Sequence, residues 1–143
     1  MTLKIIEHNS NEYAQMVDLR MQVLRIPLGL SFTKEDLAKE KNDILIAAFE
    51  NNALMGCCVL TQRDEATLQL RQMAVAPQQQ KTGIGTAILQ FAEKVAAQKG
   101  YTVLMMHARN IALPFYEKCG YTKTGNAFIE VTIPHYKMEK KLQ

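Results

Sequence analysis

The stretch that most constrains this chain is TLQLRQMAVAPQQQKTGIGTAILQFAEKVAAQ, over positions 67–98. A strand-like run gives way to a Pro-marked turn, then to two glycines one residue apart, then to apolar residues at Ile84, Ala87, Ile88, Phe91, Ala92 and Val95. Those six positions mark one face of a helix that Gly100 can end. A helix that begins straight out of a glycine loop leaves its first N–H groups without partners, and its dipole favours negative charge there. The joint therefore predicts an anion site built from backbone. Two nucleotide patterns fail. A phosphate-binding nucleotidase loop needs a glycine five places before Gly83 and a Lys-Ser or Lys-Thr pair after Gly85, whereas Lys81-Thr82 lies on the other side. A dinucleotide fingerprint needs a third glycine, where Ile88 stands, and a preceding parallel unit, which the antiparallel-looking strands upstream do not supply.

The rest of the chain reads as alternating short elements. Leu3 to Glu7 predicts a first strand, and Asn11 to Val23 a helix that the run IPLGL breaks. Thr33 can cap a short helix over KEDLAKE, its hydroxyl accepting from an early N–H while two acids occupy the first turn. From Asp43 to Val75 the runs ILIAAFE, LMGCCVLTQ and TLQLRQMAV, with turns at Asn51-Asn52 and near Asp64-Glu65, predict three antiparallel strands. After the helix that follows Gly85, YTVLMMHA has the continuous apolar character of a central strand. IALPFYEKCGY predicts a short helix that starts near Leu113, because of Pro114, and ends at Gly120. The tail is expected to hold two strands, YTKTG and AFIEVTIPHYKM, the second interrupted by Pro134. With no repeat, low-complexity tract or linker, 143 residues at 48% apolar content predict one core and a single domain over 1–143. The order is β-α-α-β-β-β-α-β-α-β-β, in the α/β (α+β mixed) class.

Charge and cysteine usage narrow the function. The basic excess of +3 is spread along the sequence and forms no arm or stripe, which argues against nucleic acid as a partner. No segment approaches the roughly 20 apolar residues of a membrane span, and the N-terminal run MTLKIIEHNSNEY is no signal peptide, so neither membrane nor export is expected. Three cysteines, two of them adjacent at Cys57 and Cys58, fit neither a disulfide framework nor a zinc pattern. They predict packing roles in a reducing cytoplasm and no metal site.

The run MAVAPQQQKTGIGTAILQFAE resembles the acetyl-coenzyme A loop of the GNAT superfamily of N-acetyltransferases, whose pattern Q/R-x-x-G-x-G/A fits Gln80, Gly83 and Gly85. A second motif of that family, FYEKxGF, matches Phe115 to Tyr121. The tail FIEVTIPHYKM is similar to an ElaA-like bacterial subgroup that ends in F-x-E-x-x-I-P-H-x-x-M, and the subgroup resemblance extends to LRMQVLRIPLGL. The resemblance spans the whole chain and implies the GNAT acyltransferase fold, a central mixed, largely antiparallel sheet of six to seven strands flanked by four helices. It also implies acetyl-CoA as co-substrate and direct acetyl transfer to an amine of a small molecule or peptide. A non-catalytic acyl-CoA sensor on the same fold is the alternative. Homodimers are frequent in the family, which leaves a homodimer open here.

Residue roles follow from the resemblance. Backbone N–H groups of Lys81, Thr82, Gly83, Ile84, Gly85 and Thr86, with Gln80, would hold the cofactor pyrophosphate, while the backbone of Met73, Ala74 and Val75 would meet the pantetheine and thioester. Tyr116 matches the family's general acid to the sulfur. Against a tyrosine pKa of about 10 and a thiol pKa of about 8.5, full proton transfer is uphill by roughly 2 kcal/mol, so hydrogen-bond donation is the firmer role. The alternative makes Phe115 and Tyr116 core aromatics. Where the family carries a cofactor-contacting Asn, this chain has Arg109, with Asn110 one place late and Ala112 in register. The resemblance therefore implies cofactor contacts at Arg109, Asn110, Ala112 and Phe115, with Arg109 able to reach a cofactor phosphate or the acceptor and a solvated strand end as its alternative. Glu130 and His135 are residue types able to take a proton from an ammonium group, against a solvated strand face and a turn as their structural alternatives. Arg20, Arg25 and Arg71 could bind a carboxylate or phosphate of the acceptor, with surface ion pairs as the alternative. His8 and His107 read as structural.

Overall fold

In the computed structural model, residues 1–80 and 82–142 are described. The strands are β1 (Thr2–Ile6), β2 (Ile44–Glu50), β3 (Ala53–Gln62), β4 (Thr67–Val75), β5 (Val103–Arg109), β6 (Thr122–Glu130) and β7 (Ile133–Lys141). The helices are α1 (Asn11–Arg20), α2 (Lys34–Ala38), α3 (Ile84–Gln98) and α4 (Leu113–Lys118). One seven-stranded sheet runs in the order β1-β2-β3-β4-β5-β7-β6. Pairing is antiparallel for β1–β2, β2–β3, β5–β7 and β6–β7 and parallel for β4–β5. The expected element order, mixed class and strand number all stand.

The chain divides into two compact units, Met1–Thr61 with Gln72–Ala92, and Gln62–Arg71 with the chain from Glu93 onward. In the first, alternation puts Leu45, Ala47, Phe49, Cys57 and Val59 in one apolar cluster with Tyr13, Met16 and Leu19 of α1. At Gly56, which is opposite Ala48 in the ladder, an added Cβ would lie 2.7 Å from Ile88 Cδ1, 3.1 Å from the Ala74 carbonyl and 3.3 Å from Ile84 Cγ2. Glycine there lets the first turns of α3 close on the strand. The β2–β3 hairpin turns at Asn51 and Asn52, both left-handed (φ 51° and 65°), as a two-residue hairpin turn demands. Thr33 caps α2 as expected, with a full capping box: Asp36 N–H donates to its hydroxyl and its own N–H donates to Asp36 Oδ2.

In the second unit, β5 supplies buried Leu104, Met106 and Ala108. Lys140 Nζ donates to Glu93 and to the Cys119 carbonyl, and the Tyr121 hydroxyl donates to Glu93 Oε2 at 2.8 Å, tying β7, the end of α4 and the last turns of α3 together.

Two local expectations change. The first helix stops as α-helix at Arg20 and continues as a π-helical turn over Met21–Arg25 and a 3-10 turn over Ile26–Leu28, closed by left-handed Gly29. Pro27 cannot donate to a continuing α ladder, which explains the tighter turn. In the tail, the strands divide at Val131-Thr132, not near Gly125, and Pro134 lies inside β7 opposite Ile129. Gly125 instead sits in a bulge: four steps from Thr124 to Phe128 oppose two from Lys137 to His135, so β6 carries two extra residues there.

Candidate functional site

In the first unit the glycine loop is built by its own hydrogen bonds. Ala76 N–H donates to the Met55 carbonyl at 2.8 Å, pinning the end of β4, and a 3-10 turn over Pro77–Gln79 follows. Gln80 Nε2 donates to the Val75 carbonyl at 3.3 Å, and Thr82 Oγ1 donates to the Gln79 carbonyl. Gly83 is left-handed (φ 90°), with nothing within 4 Å of where a Cβ would stand. Its carbonyl accepts from Ala87 N–H, which makes it the cap of α3. The N–H groups of Ile84, Gly85 and Thr86 are then the donors of the first turn that the helix cannot satisfy. Open space at Gly83, exposed Thr82 and the N–H groups of the first helical turn suit a phosphate group. Lys81, expected in the same cradle, lies outside the described residues.

Just upstream, Gln72 takes a left-handed conformation (φ 55°) inside β4, which costs about 1–2 kcal/mol for a residue with a side chain. Its carbonyl accepts from Cys57 Sγ at 3.8 Å. The β4–β5 ladder covers Thr67–Leu70 and Val103–Met106 only, so the ladder stops two residues before Gln72. Beyond it, Met73 and Val75 are half-buried and Ala74 buried. Left-handed Gln72 is thus the irregular point of β4, just before Met73, Ala74 and Val75, which continue the strand.

Arg20 is a correction. Its side chain is 0% exposed and its guanidinium donates to both oxygens of Glu40, at 2.9 and 2.6 Å, while the Tyr13 hydroxyl donates to Glu40 Oε1 at 2.6 Å. A group so enclosed is not available to an acceptor. Burial alone would lower the Arg20 pKa, but the hydrogen bonds and charge of Glu40 outweigh it and raise it. Burial, then Glu40, pushes the Tyr13 phenol well above its ordinary value. Arg25 packs its guanidinium 4.4 Å from the centre of the Phe32 ring, which Arg20 also approaches at 4.6 Å.

The second unit holds the residues expected to do proton chemistry. Tyr116 is buried on α4, edge-on to Phe115 (5.0 Å) and Tyr121 (6.0 Å). Pro114 sits at the first turn of that helix, where its missing N–H costs nothing. Arg109 ends β5 opposite His135 of β7, and Asn110 and Ala112 form the 3-10 turn leading into α4. Arg71 closes the Gln62–Arg71 segment.

Glu130 and His135 come together, and a residue read as structural joins them. His107 Nδ1 lies 3.1 Å from Glu130 Oε1, and His135 Nε2 lies 3.7 Å from Glu130 Oε2. His135 Nδ1 is 2.8 Å from the Ile133 carbonyl, so Nδ1 carries a proton and Nε2 is the lone-pair nitrogen of the neutral ring. Phe128 stands edge-on to His107 (5.0 Å) and stacked on His135 (6.0 Å). Glu130 is 47% exposed and His135 only 4%. The cluster thus pairs a solvent-facing carboxylate with an enclosed imidazole.

Among the described residues no helix is long and apolar enough to cross a membrane, and no group of three or more His, Cys, Asp or Glu could hold a metal ion.

The model of the acetyltransferase (GNAT) domain family matches residues 30–142. Probable N-acetyltransferase 14 of Xenopus tropicalis is 29% identical over 115 residues, covering 77% of this chain and 55% of that protein. The chain spans about half the length of the first curated relatives it matches. Among solved structures, a GNAT family acetyltransferase from Elizabethkingia anophelis with acetyl-CoA bound superposes with a TM-score of 0.76 at 24% identity, covering 99% of this chain and 97% of that one. Escherichia coli ElaA superposes with a TM-score of 0.83 at 14% identity, covering 98% and 99%. At these identities the structures report the shared fold.

Proposed function

The chain belongs to the GNAT acetyltransferase domain family, and from that premise we propose that it is an acetyl-CoA-dependent N-acetyltransferase acting on an amine of a small molecule. The observation that carries the reading is the glycine at the start of α3: a left-handed Gly83 with open space around it caps a helix whose first-turn N–H groups have no partner within the helix. That is an anion cradle, and acetyl-CoA brings a pyrophosphate to fill it and a thioester to be attacked. The Elizabethkingia relative's bound acetyl-CoA supports the same choice of ligand.

In this reading Gln80 and the N–H groups of 82–86 bind the phosphates, and the backbone of Met73 to Val75, beyond the end of the β4–β5 ladder at Leu70, positions the thioester arm. An acceptor amine attacks the thioester carbonyl carbon; the C–N bond forms and the C–S bond breaks. The amine proton passes to Glu130 or His135, and the Tyr116 hydroxyl donates to the departing sulfur. A positioned base or acid of this kind is worth about 10²- to 10⁴-fold in rate. Arg109 and Asn110 would contact the cofactor, and Arg25 and Arg71 an anionic group of the acceptor.

Thermal unfolding with acetyl-CoA, NAD and ATP tests the cradle. Ligand at about 100 times its dissociation constant adds roughly 2.7 kcal/mol, a rise on the order of 5–10 °C, expected for acetyl-CoA alone. No rise at saturation overturns the reading. Tyr116→Phe then tests the acid: transfer to an amine panel should fall by about 10²-fold with acetyl-CoA binding unchanged. Wild-type turnover in that variant would remove Tyr116 from the mechanism.

A further inference from the structure

Resting on that reading, we propose that His107 is a positioning residue for Glu130. The strand ladders alone do not bring the two together. His107 stands opposite Lys137 on β7, and Lys137 stands opposite Thr124 on β6, so the partner in its own row is Thr124. Glu130 pairs with Ile133, beyond the last β5–β7 pair at Arg109 and His135. What intervenes is the two-residue excess between Thr124 and Phe128, with Gly125 left-handed at φ 76°. Bulges bend and twist a strand locally and re-aim its side chains. Here the re-aimed side chain reaches His107 Nδ1 at 3.1 Å.

The consequence for Glu130 is orientation. A carboxylate that is nearly half exposed has several rotamers open to it, and fixing them costs conformational entropy. His107 Nδ1–H donates to Oε1, which leaves Oε2 on the side of His135 Nε2. The Phe128 ring packs against both imidazoles and limits where either can go. Glu130 and the lone pair of His135 are thereby presented together, which an amine that must lose a proton requires and a freely rotating glutamate would not provide. His107 itself meets no substrate in this arrangement.

Three variants and one spectrum test the assignment. His107→Ala should lower kcat for acetyl transfer to the responding amine of a panel of lysine, spermidine and an aminoglycoside by about 10- to 100-fold, the range a misplacement of roughly 1 Å produces. The KM for acetyl-CoA should stay at the wild-type value. His107→Asn, whose side-chain amide can donate from near the Nδ1 position, should recover most of the loss. Long-range 15N–1H spectra of the His107 ring should show the Nδ1–H tautomer in the wild-type chain and lose it in Glu130→Ala. An Nε2–H tautomer in the wild type, wild-type kcat in His107→Ala, or equal losses in the Ala and Asn variants would each overturn the proposal. If the wild-type chain acetylates none of the amines, it is the transferase reading that falls, while the spectrum still decides whether His107 holds Glu130.

Discussion

At the scale of single residues, one sequence pattern led to two different outcomes. Arg20 and Glu130 were each read as able to meet substrate, and only burial separates them. Arg20 lies seven positions after Tyr13 on α1, one face of a helix, and Glu40 closes the triad from beyond α2. No local spacing announces that a carboxylate 20 residues away will meet a guanidinium, so the pair was illegible in the sequence although both residues were in plain view. Its energetics are sharp. Removing one partner of a buried ion pair leaves an uncompensated charge, so Glu40→Ala should cost about 3–5 kcal/mol in urea unfolding. Tyr13→Phe leaves the pair intact and removes one hydrogen bond to a charged group, so about 1.5–3 kcal/mol is expected. A Glu40→Ala loss smaller than that of Tyr13→Phe would mean that the network is not organised by charge. His107 was missed for a related reason: its partner lies 23 residues on, and the contact depends on a bulge instead of ladder register.

Among the elements, those with strong periodicity were legible and those set by tertiary demand were not. The apolar face of α3, the meander of β2 to β4 and the start of α4 at Leu113, beside Pro114, each follow from pattern or turn chemistry. Gly56 carries no such signal, yet it governs how closely α3 approaches β3. Gly56→Ala should destabilise by about 1–3 kcal/mol, the usual range for overpacking, because the Ala74 carbonyl at 3.1 Å belongs to backbone and gives less than the tip of Ile88. It should also weaken acetyl-CoA binding by displacing the first turn of α3. Thermal unfolding and ligand titration of that variant read both; an unchanged affinity would uncouple the cradle from this packing. The β6–β7 turn was misplaced because Val131 and Thr132 are poor turn formers. Both are left-handed (φ 44° and 64°), the geometry that Asn51-Asn52 adopts at lower cost. Such strain costs on the order of 1–3 kcal/mol per residue, so Val131→Asn with Thr132→Gly should raise the unfolding midpoint by several degrees. A lower midpoint would show that the turn is held by contacts of the Val131 and Thr132 side chains.

For the molecule as a whole, four buried acids share one direction of shift and so set one boundary of stability. Burial pushes the Cys57 thiol from 9.0 up to about 12 and raises Cys58 well above its ordinary value. Tyr13 and Tyr121 are raised as well, by burial first and then by Glu40 and Glu93 respectively. A raised pKa means that the folded chain holds its proton more tightly than the unfolded chain does. The stabilisation is therefore complete below the unfolded value and disappears as pH climbs through the folded one. For Cys57 that window runs from about 9 to about 12. Each such group adds about 1.4 kcal/mol per pH unit to the slope, so two thiols predict a fall of roughly 2.7 kcal/mol per unit above pH 9, steepening above pH 10 as the two phenols join. Cys57→Ala should remove one thiol's share of that slope while lowering stability at neutral pH through the vacated volume. Urea unfolding at steps from pH 8 to 10.5, in wild type and variant, measures both effects at once. Parallel pH profiles would mean that the Cys57 thiol is not protected by burial, because a core that excludes water from Sγ must resist its ionisation.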